Sequence, residues 1–288
     1  MPELPEVETT ARGLTPHLTG ATLERMQVFD DRLRWPVAST IVSQVRATQV
    51  LSIDRRSKYL LFRLGEQTID CAPATAILKG TLMVHLGMSG RLQLFERNSP
   101  REKHSHVQWD FGNGQVLRLT DPRRFGSVHW FAAELADQEH TLLRKLGPEP
   151  LTPAFSAQYL FTRSRNRRVA TKVLLMNAQV VVGVGNIYAS EALFRAKICP
   201  TLPAGMLTLE HCKHIVAAIK QTLRLAIKAG GTTLRDFQDS HGNPGYFKQK
   251  LMVYDRADQA CRQCDQPIAQ FTLGQRATYW CPNCQRES

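Results

Sequence analysis

The sequence predicts an α+β protein of more than one domain, with an N-terminal helix and a β-sandwich, then a helical region, then a small module built on cysteines. Its 288 residues exceed one average domain and are enough to bury a substantial core. Apolar residues alternate, as in strands, up to about residue 131, and recur at helical spacing in the second half. Four of the seven cysteines lie close to the C-terminus.

The first helix is predicted to begin near Pro5. Proline suits the first helical turn, and Glu6 and Glu8 complement the positive end of the helix dipole. An apolar stripe follows on one face, formed by Val7, Ala11, Leu14 and Leu18.

The stretch that follows, up to about residue 131, is predicted to form short strands that build a β-sandwich. The clearest hairpin has its turn at Asn113-Gly114, a pair typical of two-residue turns. The alternating apolar positions on the two sides of this turn are Val107, Trp109 and Phe111, then Leu117 and Leu119.

A change of pattern near residue 132 predicts a second, helical part of the chain. The Gly147–Pro150 segment is typical of a linker edge, and a long helix is predicted to end at Gly230-Gly231. The polar segment Thr232–Gly245 is predicted to be a mobile loop. These boundaries divide the chain into residues 1–135, a linker at 136–150, then 151–252 and 253–288. The apolar stripe of the long helix consists of Ile215, Ala218, Ile219, Thr222, Leu223, Ala226 and Ile227.

The charge of the chain favours a polyanionic partner. The formal net charge is +12 and the pI is about 9.6, and each phosphate that Lys or Arg neutralises releases counterions. A soluble basic protein without such a partner is the alternative. No apolar run reaches the roughly 18–20 residues that span a membrane, and the N-terminus lacks a signal-peptide pattern, so a cytosolic location is expected.

The strongest local motif is a pair of CxxC knuckles, Cys261-x2-Cys264-x16-Cys281-x2-Cys284. Four thiolates at this spacing can surround one structural zinc ion in a tetrahedron that leaves no open position for catalysis. Four unliganded cysteines are the alternative. Arg276 lies between the knuckles, where a short β-hairpin would direct it outward.

The N-terminal residues can supply a nucleophile. A helix start with frayed residues is the ordinary interpretation of Met1-Pro2-Glu3. If Met1 is removed, as a small second residue permits, Pro2 becomes a secondary amine. The pKa of an α-amino group is about 7.7–8.0, against about 10.4 for lysine, so a useful fraction is neutral at pH 7. Such an amine can attack a sugar C1′ and form an iminium, with Glu3 placed to transfer a proton.

Three further motifs have both a structural and a functional interpretation. Lys58 follows two arginines, either as a solvated strand end or as a phosphate or catalytic contact. The Asp121–Gly126 turn is of a common structural type, but its Arg and Phe side chains could fill the gap left by an extruded base. Met88, within His85–Gly90, could act in the same way, although a lone methionine is more often a core residue.

A basic run precedes a glycine-rich turn and a further helix. The glycine-rich turns at residues 181–188 lie between two predicted helices, and this arrangement resembles a helix–two-turn–helix motif. Asn186 would lie at a helix N-terminus, which suits a phosphate. A nucleotide-binding loop is the alternative, but neither a GxGxxG nor a P-loop pattern supports it. The basic run comprises Arg163, Arg165, Arg167, Arg168 and Lys172.

Together these segments resemble the formamidopyrimidine-DNA glycosylase family of base-excision repair. The resemblance spans the chain, and the segments occur in the family order. They are PELPEVET (2–9), RRSKYLL (55–61), HLGMSG (85–90), TDPRRFG (120–126), LGPEPL (146–151), VVGVGNIYASE (181–191), GGTTLRDF (230–237), PGYF (244–247) and QRATYWC (275–281).

The resemblance implies an N-terminal β-sandwich, a helix–two-turn–helix domain and a C-terminal β-hairpin zinc finger, with DNA in a basic cleft between domains. It implies removal of oxidised purines, such as 8-oxoguanine and formamidopyrimidines, through a Schiff base, followed by AP lyase β,δ-elimination. The implied partner is double-stranded DNA containing oxidised bases, at the bacterial nucleoid. One structural Zn²⁺, no diffusible cofactor, no membrane, no obligate protein partner and a monomeric state are also implied.

The resemblance assigns catalytic roles to four residues. Pro2 would be the Schiff-base nucleophile, and Glu3 the acid that opens the sugar ring. Lys58 would assist β-elimination. Arg276 would assist δ-elimination and hold a phosphate beside the lesion.

The other implied roles concern DNA and zinc. Met88, Arg123 and Phe125 would fill the void left by the extruded nucleotide, with Arg123 reading the orphaned cytosine. Lys172 would tie the N-terminus to the flipped nucleotide, and the Thr232–Gly245 loop would cap the oxidised base. Backbone contacts are implied for His104, Arg124, Arg167 and Asn186, and zinc coordination for Cys261, Cys264, Cys281 and Cys284.

Three segments depart from the family pattern. Residues 69–80 form an insertion where the family has a short hairpin, and a solvent-facing loop that could disturb Met88 is expected there. Ser105 and Gln108 replace aspartates, and arginines replace lysines at 165–168. These changes bear on lesion preference and leave Pro2 and Glu3 untouched.

Two other functions stay open. The related endonuclease VIII group shares the proline chemistry but acts on oxidised pyrimidines, and its members typically begin PEGPE, whereas this chain has Leu4 in place of the glycine. A non-catalytic zinc-finger binder of damaged DNA would need the same basic surface and zinc. A retained Met1 would favour the binder, because it blocks the proline amine.

Overall fold

The structure is a computed structural model that describes residues 2–68, 75–137, 139–232 and 247–286. The described residues form two compact units. The first unit runs to Arg144 and also includes Gly230–Thr232. The second unit comprises Lys145–Ala229 and residues 247–286.

The first unit begins with the predicted amphipathic helix, α1, at Leu4–Leu18. Glu3 is its N-cap, and Pro5 lies in its first turn, where the absent proline N–H costs no hydrogen bond. The predicted apolar stripe is buried in full, from Val7 to Leu18. The predicted start of the helix and its predicted apolar face are therefore confirmed.

Eight strands of the first unit form one antiparallel sheet in the order β5-β7-β6-β1-β2-β3-β4-β8. A short helix, α2, at Thr40–Val45 lies between β1 and β2 in sequence. The strands are Thr22–Val28 (β1), Thr48–Arg56 (β2), Tyr59–Thr68 (β3), Thr75–His85 (β4), Arg91–Glu96 (β5), Ser105–Phe111 (β6), Gln115–Thr120 (β7) and Ser127–Ala132 (β8).

The predicted β-sandwich is confirmed, because this sheet has two halves that pack on one core. The ladder between β1 and β2 is short, with the register pairs Thr22↔Gln49 and Leu23↔Thr48, and it joins the two halves of the sheet. Trp109 of one half and Phe62 of the other belong to the same buried cluster, together with Leu14 of α1. This apolar core is what orients the N-terminus of α1 relative to the loops of the sheet.

The insertion differs from the expected loop. Residues 75–80 belong to β4 and continue its ladder with β3 as far as Thr68↔Thr75. The loop prediction is therefore wrong for 75–80, because their backbone groups pair with β3. Ile77 and Leu78 do face solvent, with 53% and 38% of their surface exposed. Residues 69–74 lie outside the described residues.

The second unit contains helices and the predicted C-terminal hairpin. The long helix α6 buries its apolar stripe from Ile215 to Ala226, with Ile227 half-buried. The helices are Ala157–Ser164 (α3), Thr171–Leu175 (α4), Asn186–Ala196 (α5) and Leu209–Lys228 (α6), with 3-10 turns at Ala204–Met206 and Phe247–Lys250, and the hairpin strands are Ala269–Leu273 (β9) and Arg276–Trp280 (β10).

A buried carboxylate connects α5 to the segment that precedes the hairpin. Glu191 is 3% exposed and accepts hydrogen bonds from the backbone N–H groups of Met252, Val253 and Tyr254, each at 2.9 Å. Burial raises the pKa of Glu191, and these three hydrogen bonds oppose the rise. Three backbone donors satisfied by one side chain hold this segment on the helix.

In the first unit, an arginine ties the segment after β8 to the sheet. Arg63 in β3 makes a bidentate ion pair with Asp137, at 2.7 and 2.5 Å, and donates from Nε to Asp54 at 2.9 Å. The hydrogen bonds from Arg63 hold the pKa of Asp137 below its usual value, although partial burial opposes this. The pair stabilises the fold only while Asp137 is ionised.

We expect Arg63→Met to lower the free energy of unfolding at pH 7 by about 1.5–3 kcal/mol, the usual loss for hydrogen bonds to charged groups. Because the folded-state pKa of Asp137 is lowered, its contribution is present above the unfolded value of 3.8 and is lost as pH falls through the folded value. Urea unfolding of both proteins at pH 7 and at pH 3 measures the gap between them. A gap that stays constant or widens on acidification would contradict this assignment.

Candidate active site and nucleic-acid interface

The two N-terminal residues predicted to carry the chemistry are buried in the first unit. Pro2 and Glu3 both lie in the interior, with Glu3 1% exposed. The backbone N–H of Glu3 donates to Glu6 Oε2 at 2.8 Å, as in a capping box. Glu3 is therefore held in place by the helix that it caps.

Glu6 also reaches the first residue of the predicted lesion-capping loop. Its Oε1 accepts a hydrogen bond from the backbone N–H of Thr232 at 2.8 Å, and both residues are buried. The rest of that loop, from residue 233 to 245, lies outside the described residues. The sequence indicated Glu6 only as a helix-dipole residue, although a glutamate three positions after the N-cap is a capping-box signal.

Lys58 lies in the two-residue turn between β2 and β3 and is half-buried. The next residue, Tyr59, packs its ring 4.9 Å from that of His85, centroid to centroid. Burial, together with the nearby cations Lys58 and Arg34, lowers the pKa of His85 to about 4, so this imidazole is neutral at pH 7. His85 was not singled out from the sequence, because only folding places it beside Lys58.

The structure brings together the three predicted void-filling residues. Asp121, which is fully buried, accepts from the Ser89 hydroxyl and from the backbone N–H of Gly126, both at 2.7 Å. Ser89 Oγ also accepts from the backbone N–H of Arg123 at 3.2 Å. The turn that contains Met88 and the loop that contains Arg123 and Phe125 are thus fixed to each other.

At the tip of this loop, Phe125 is 43% exposed and the Arg123 guanidinium lies 5.1 Å from its ring centroid. An exposed ring paired with a planar cation is suited to stacking on nucleic-acid bases. Met88 is half-buried, and this exposure favours neither the void-filling interpretation nor the core interpretation of its side chain. The loop can therefore present one aromatic face and one guanidinium to a ligand.

Two of the predicted backbone contacts lie beside this loop. Arg124 makes an ion pair with Asp30 at 2.7 Å, and hydrogen bonds from Arg32 and Arg124 hold the pKa of Asp30 well below its usual range. His104 is exposed, and its carbonyl accepts from the backbone N–H of Asp121 at 3.0 Å. Arg124 thus already has a protein partner, whereas His104 faces solvent.

The two positions where aspartate is replaced are buried and satisfied within the fold. Ser105 shares a hydrogen bond with the Thr120 hydroxyl at 2.9 Å. Gln108 Oε1 accepts from Nε of the buried Arg118 at 2.8 Å. These departures therefore change internal hydrogen bonds and not the exposed loop surface.

In the second unit, three predicted residues converge on β10. Lys172 is fully buried, and its ammonium donates to Thr278 Oγ1 at 2.8 Å and to the Ala277 carbonyl at 3.2 Å. Asn186, the first residue of α5, donates from Nδ2 to the same carbonyl at 2.9 Å. The neighbouring Arg276 is exposed at the start of β10. The implied contact of Lys172 with a nucleotide stays a prediction.

The basic run before α4 is divided between surface and interior. Arg167 and Arg168 are exposed. Arg165 lies over the Phe161 ring at 4.1 Å and donates to Ser164 Oγ and to the Leu207 carbonyl. Arg167, the predicted backbone contact, is therefore accessible to a ligand, whereas Arg165 has a packing role.

The four predicted metal ligands lie together at the C-terminal hairpin. The Sγ atoms of Cys261, Cys264, Cys281 and Cys284 all lie within 4.8 Å of one another. The Cys261–Cys284 pair is 3.9 Å apart, and the Cys264–Cys281 pair 3.4 Å. Ligands about 2.3 Å from a tetrahedral zinc ion are separated by roughly 3.8 Å, so the cluster fits one structural zinc ion.

Comparison with known proteins identifies the family. Sequence profiles match the formamidopyrimidine-DNA glycosylase N-terminal domain at residues 1–128, its H2TH domain at 146–238, and the zinc finger found in FPG and IleRS at 258–286. The formamidopyrimidine-DNA glycosylase of Pseudomonas aeruginosa is 49% identical over 99% of this chain and 100% of its own length. The chain belongs to the formamidopyrimidine-DNA glycosylase family.

Solved structures agree with this assignment. A mutant FPG of Lactococcus lactis, in complex with Fapy-dG-containing DNA, has a TM-score of 0.88 at 28% identity, with 99% of this chain and 100% of that chain covered. The MutM (FPG) protein of Thermus thermophilus has a TM-score of 0.84 at 35% identity, with coverage of 99% and 98%. As a member of this family, the chain is a base-excision-repair DNA glycosylase with AP lyase activity. Its four-cysteine zinc finger holds one structural zinc ion.

Within the described ranges, the helices are all too short or too polar to cross a lipid bilayer.

We expect Cys264→Ser to lose zinc and to weaken DNA binding about tenfold or more, because metal binding and folding of such a small module are coupled and Arg276 lies between the knuckles. Zinc content per chain and the Kd for duplex DNA are the measurements. Cys212→Ser is the matched control, because Cys212 is buried in α6 outside the cluster. Normal zinc and affinity in Cys264→Ser would contradict the site.

Proposed function

We propose that this glycosylase removes oxidised purines, 8-oxoguanine and formamidopyrimidines, from duplex DNA with Pro2 as its nucleophile. The observation that carries the proposal is the buried Pro2–Glu3 pair at the capped start of α1. A relative of similar structure, from Lactococcus lactis, was solved with Fapy-dG-containing DNA. A single polypeptide supplies every role below, so we propose a monomer that works at the bacterial nucleoid.

The proposed reaction begins after removal of Met1. The Pro2 nitrogen forms a bond to C1′ as the bond from C1′ to the base breaks, and the base leaves with a proton. Glu3 donates a proton to the ring oxygen of the sugar, which opens the ring and yields an iminium between Pro2 and C1′.

The iminium acidifies the C2′ protons, because it accepts the electron pair left behind. Loss of one such proton, assisted by Lys58, expels the 3′ phosphate, and a second elimination, assisted by Arg276, expels the 5′ phosphate. Water then releases the remaining sugar fragment and restores the Pro2 amine. The products are a one-nucleotide gap with phosphate ends and an unchanged enzyme.

The other predicted residues would bind and distort the DNA. Met88, Arg123 and Phe125 would occupy the space of the extruded nucleotide, with Arg123 facing the orphaned cytosine. The Thr232–Gly245 loop would cover the base, and Lys172 would join the N-terminus to the flipped nucleotide. Backbone phosphates would be bound by His104, Arg124, Arg167 and Asn186.

Oxidised pyrimidines are a second candidate substrate class. A Lactococcus lactis FPG of similar structure was solved with DNA that contains an oxidised pyrimidine. A non-catalytic role as a damage binder would require a blocked N-terminus. The N-terminal mass of the purified chain separates that role from the enzymatic one, because retention of Met1 would favour the binder.

Borohydride reduction during turnover tests the role of Pro2. We expect a covalent adduct between the chain and 8-oxoguanine·cytosine duplex, mapped by peptide mass spectrometry to Pro2, with less adduct on a thymine-glycol duplex. We expect Pro2→Gly to slow excision at least about tenfold, because the secondary amine is lost. An adduct at another residue, or unchanged cleavage by Pro2→Gly without an adduct, would sink the proposal. Preferential trapping on thymine glycol would favour the second substrate class.

The exposed Phe125 gives a separate test of base extrusion. We expect Phe125→Ala to slow excision about tenfold while affinity for undamaged duplex changes less than about twofold, because stacking contributes about 1–3 kcal/mol per base. Phe29→Ala is the matched control, since Phe29 is 39% exposed and lies under Arg101 at 4.3 Å. Equal losses of excision and binding would mean that Phe125 only packs.

A further inference from the structure

An arginine outside the predicted site links α1 to the turn that carries Lys58. Arg55, near the end of β2, has only 11% of its side chain exposed. Its Nε donates to Glu8 Oε2 of α1 at 2.7 Å, and its NH1 group donates to the backbone carbonyl of Ser57 at 3.1 Å. One guanidinium therefore contacts both the helix that begins at the nucleophile and the residue before Lys58.

The turn that Arg55 contacts is strained. Ser57 has a φ of +58° and is 4% exposed. A non-glycine residue adopts this left-handed conformation only when its surroundings hold it there. The turn has two residues, because Arg56 pairs with Tyr59 directly across it, so the backbone of Ser57 determines where Lys58 starts.

The other end of the link is a well-anchored carboxylate. Glu8 also accepts from Nε of Arg12 at 2.7 Å, through its second oxygen, and Arg12 is 67% exposed. Burial raises the pKa of Glu8, but the hydrogen bonds from Arg55 and Arg12 outweigh it and leave the pKa below its usual value. Glu8 is thus ionised at neutral pH and can hold Arg55 in place.

We propose that Arg55 is a positioning residue for the lyase step: by joining Glu8 of α1 to the strained Ser57 turn, it sets the place of Lys58 relative to the N-terminal nucleophile. This inference rests on the proposed role of Lys58 in β-elimination. It adds a residue that acts through the backbone of its neighbour. Small displacements of a catalytic group have large kinetic effects, which makes such a link consequential.

The test measures single-turnover β-elimination on DNA with a preformed abasic site, and the Kd for duplex that contains the uncleavable tetrahydrofuran analogue. We expect Arg55→Met to slow elimination about tenfold with Kd changed less than about twofold. We expect Arg12→Met, which removes the same charge from the same carboxylate at the surface, to leave both quantities within about twofold. We expect Arg55→Lys to recover elimination only in part, because the compact ammonium lacks the planar guanidinium geometry that directs separate N–H groups to Glu8 and to Ser57.

A second variant tests the strain. Glycine adopts a positive φ without cost, so we expect Ser57→Gly in the Arg55→Met background to recover most of the lost elimination rate. Absence of recovery would overturn the strain argument. Circular dichroism and thermal unfolding of each variant ensure that a folded protein is compared.

The Lys58→Ala variant, measured in parallel, separates a failure of the Arg55 proposal from a failure of the proposed role of Lys58. If Lys58→Ala slows elimination and Arg55→Met does not, the positioning role of Arg55 is overturned and the proposed function stands. If Lys58→Ala leaves elimination unchanged, the role of Lys58 and this inference both fall. If Arg12→Met slows elimination as much as Arg55→Met, loss of charge near Glu8, and not the Ser57 link, is responsible.

Discussion

The proposed site depends on Pro2 and Glu3, which are buried at the start of α1. Here Glu3 is the N-cap of α1, its N–H is satisfied by Glu6, and the apolar face of the helix is buried in the sandwich core. The position of the Pro2 nitrogen is therefore set by the packing of the whole helix.

Hydrogen bonds of this kind recur at three other places in the structure. A buried carboxylate accepts hydrogen bonds from backbone N–H groups of an irregular segment and holds that segment in place. Glu6 does this for Thr232, Asp121 for Gly126, and Glu191 for residues 252–254. Carboxylates suit this role, because each offers two acceptor oxygens and the loss of a buried acceptor leaves buried donors unsatisfied. The loops can thus be irregular in sequence and still hold defined side chains.

Element types and the zinc ligands were predictable because they depend on local patterns. The stripes of α1 and α6, the Asn113-Gly114 hairpin and the two CxxC knuckles each lie within a short stretch of chain. Residues 75–80 were misjudged, because the alternative to a loop was pairing with β3, and pairing depends on a partner strand. The sequence places Arg165 in a basic run, but its guanidinium donates to the Leu207 carbonyl, which only folding brings close to it.

The sequence by itself determined the fold class, the metal ligands and the residue types available for catalysis, because periodicity, capping and ligand spacing are written within a few neighbouring positions. Only the tertiary structure decided which of those residues meet. Glu6 with Thr232, Ser89 with Asp121, and Lys172 with β10 are contacts between distant segments. Such contacts follow from how buried faces pack and from where buried donors find acceptors, and neither is a property of a local stretch of sequence.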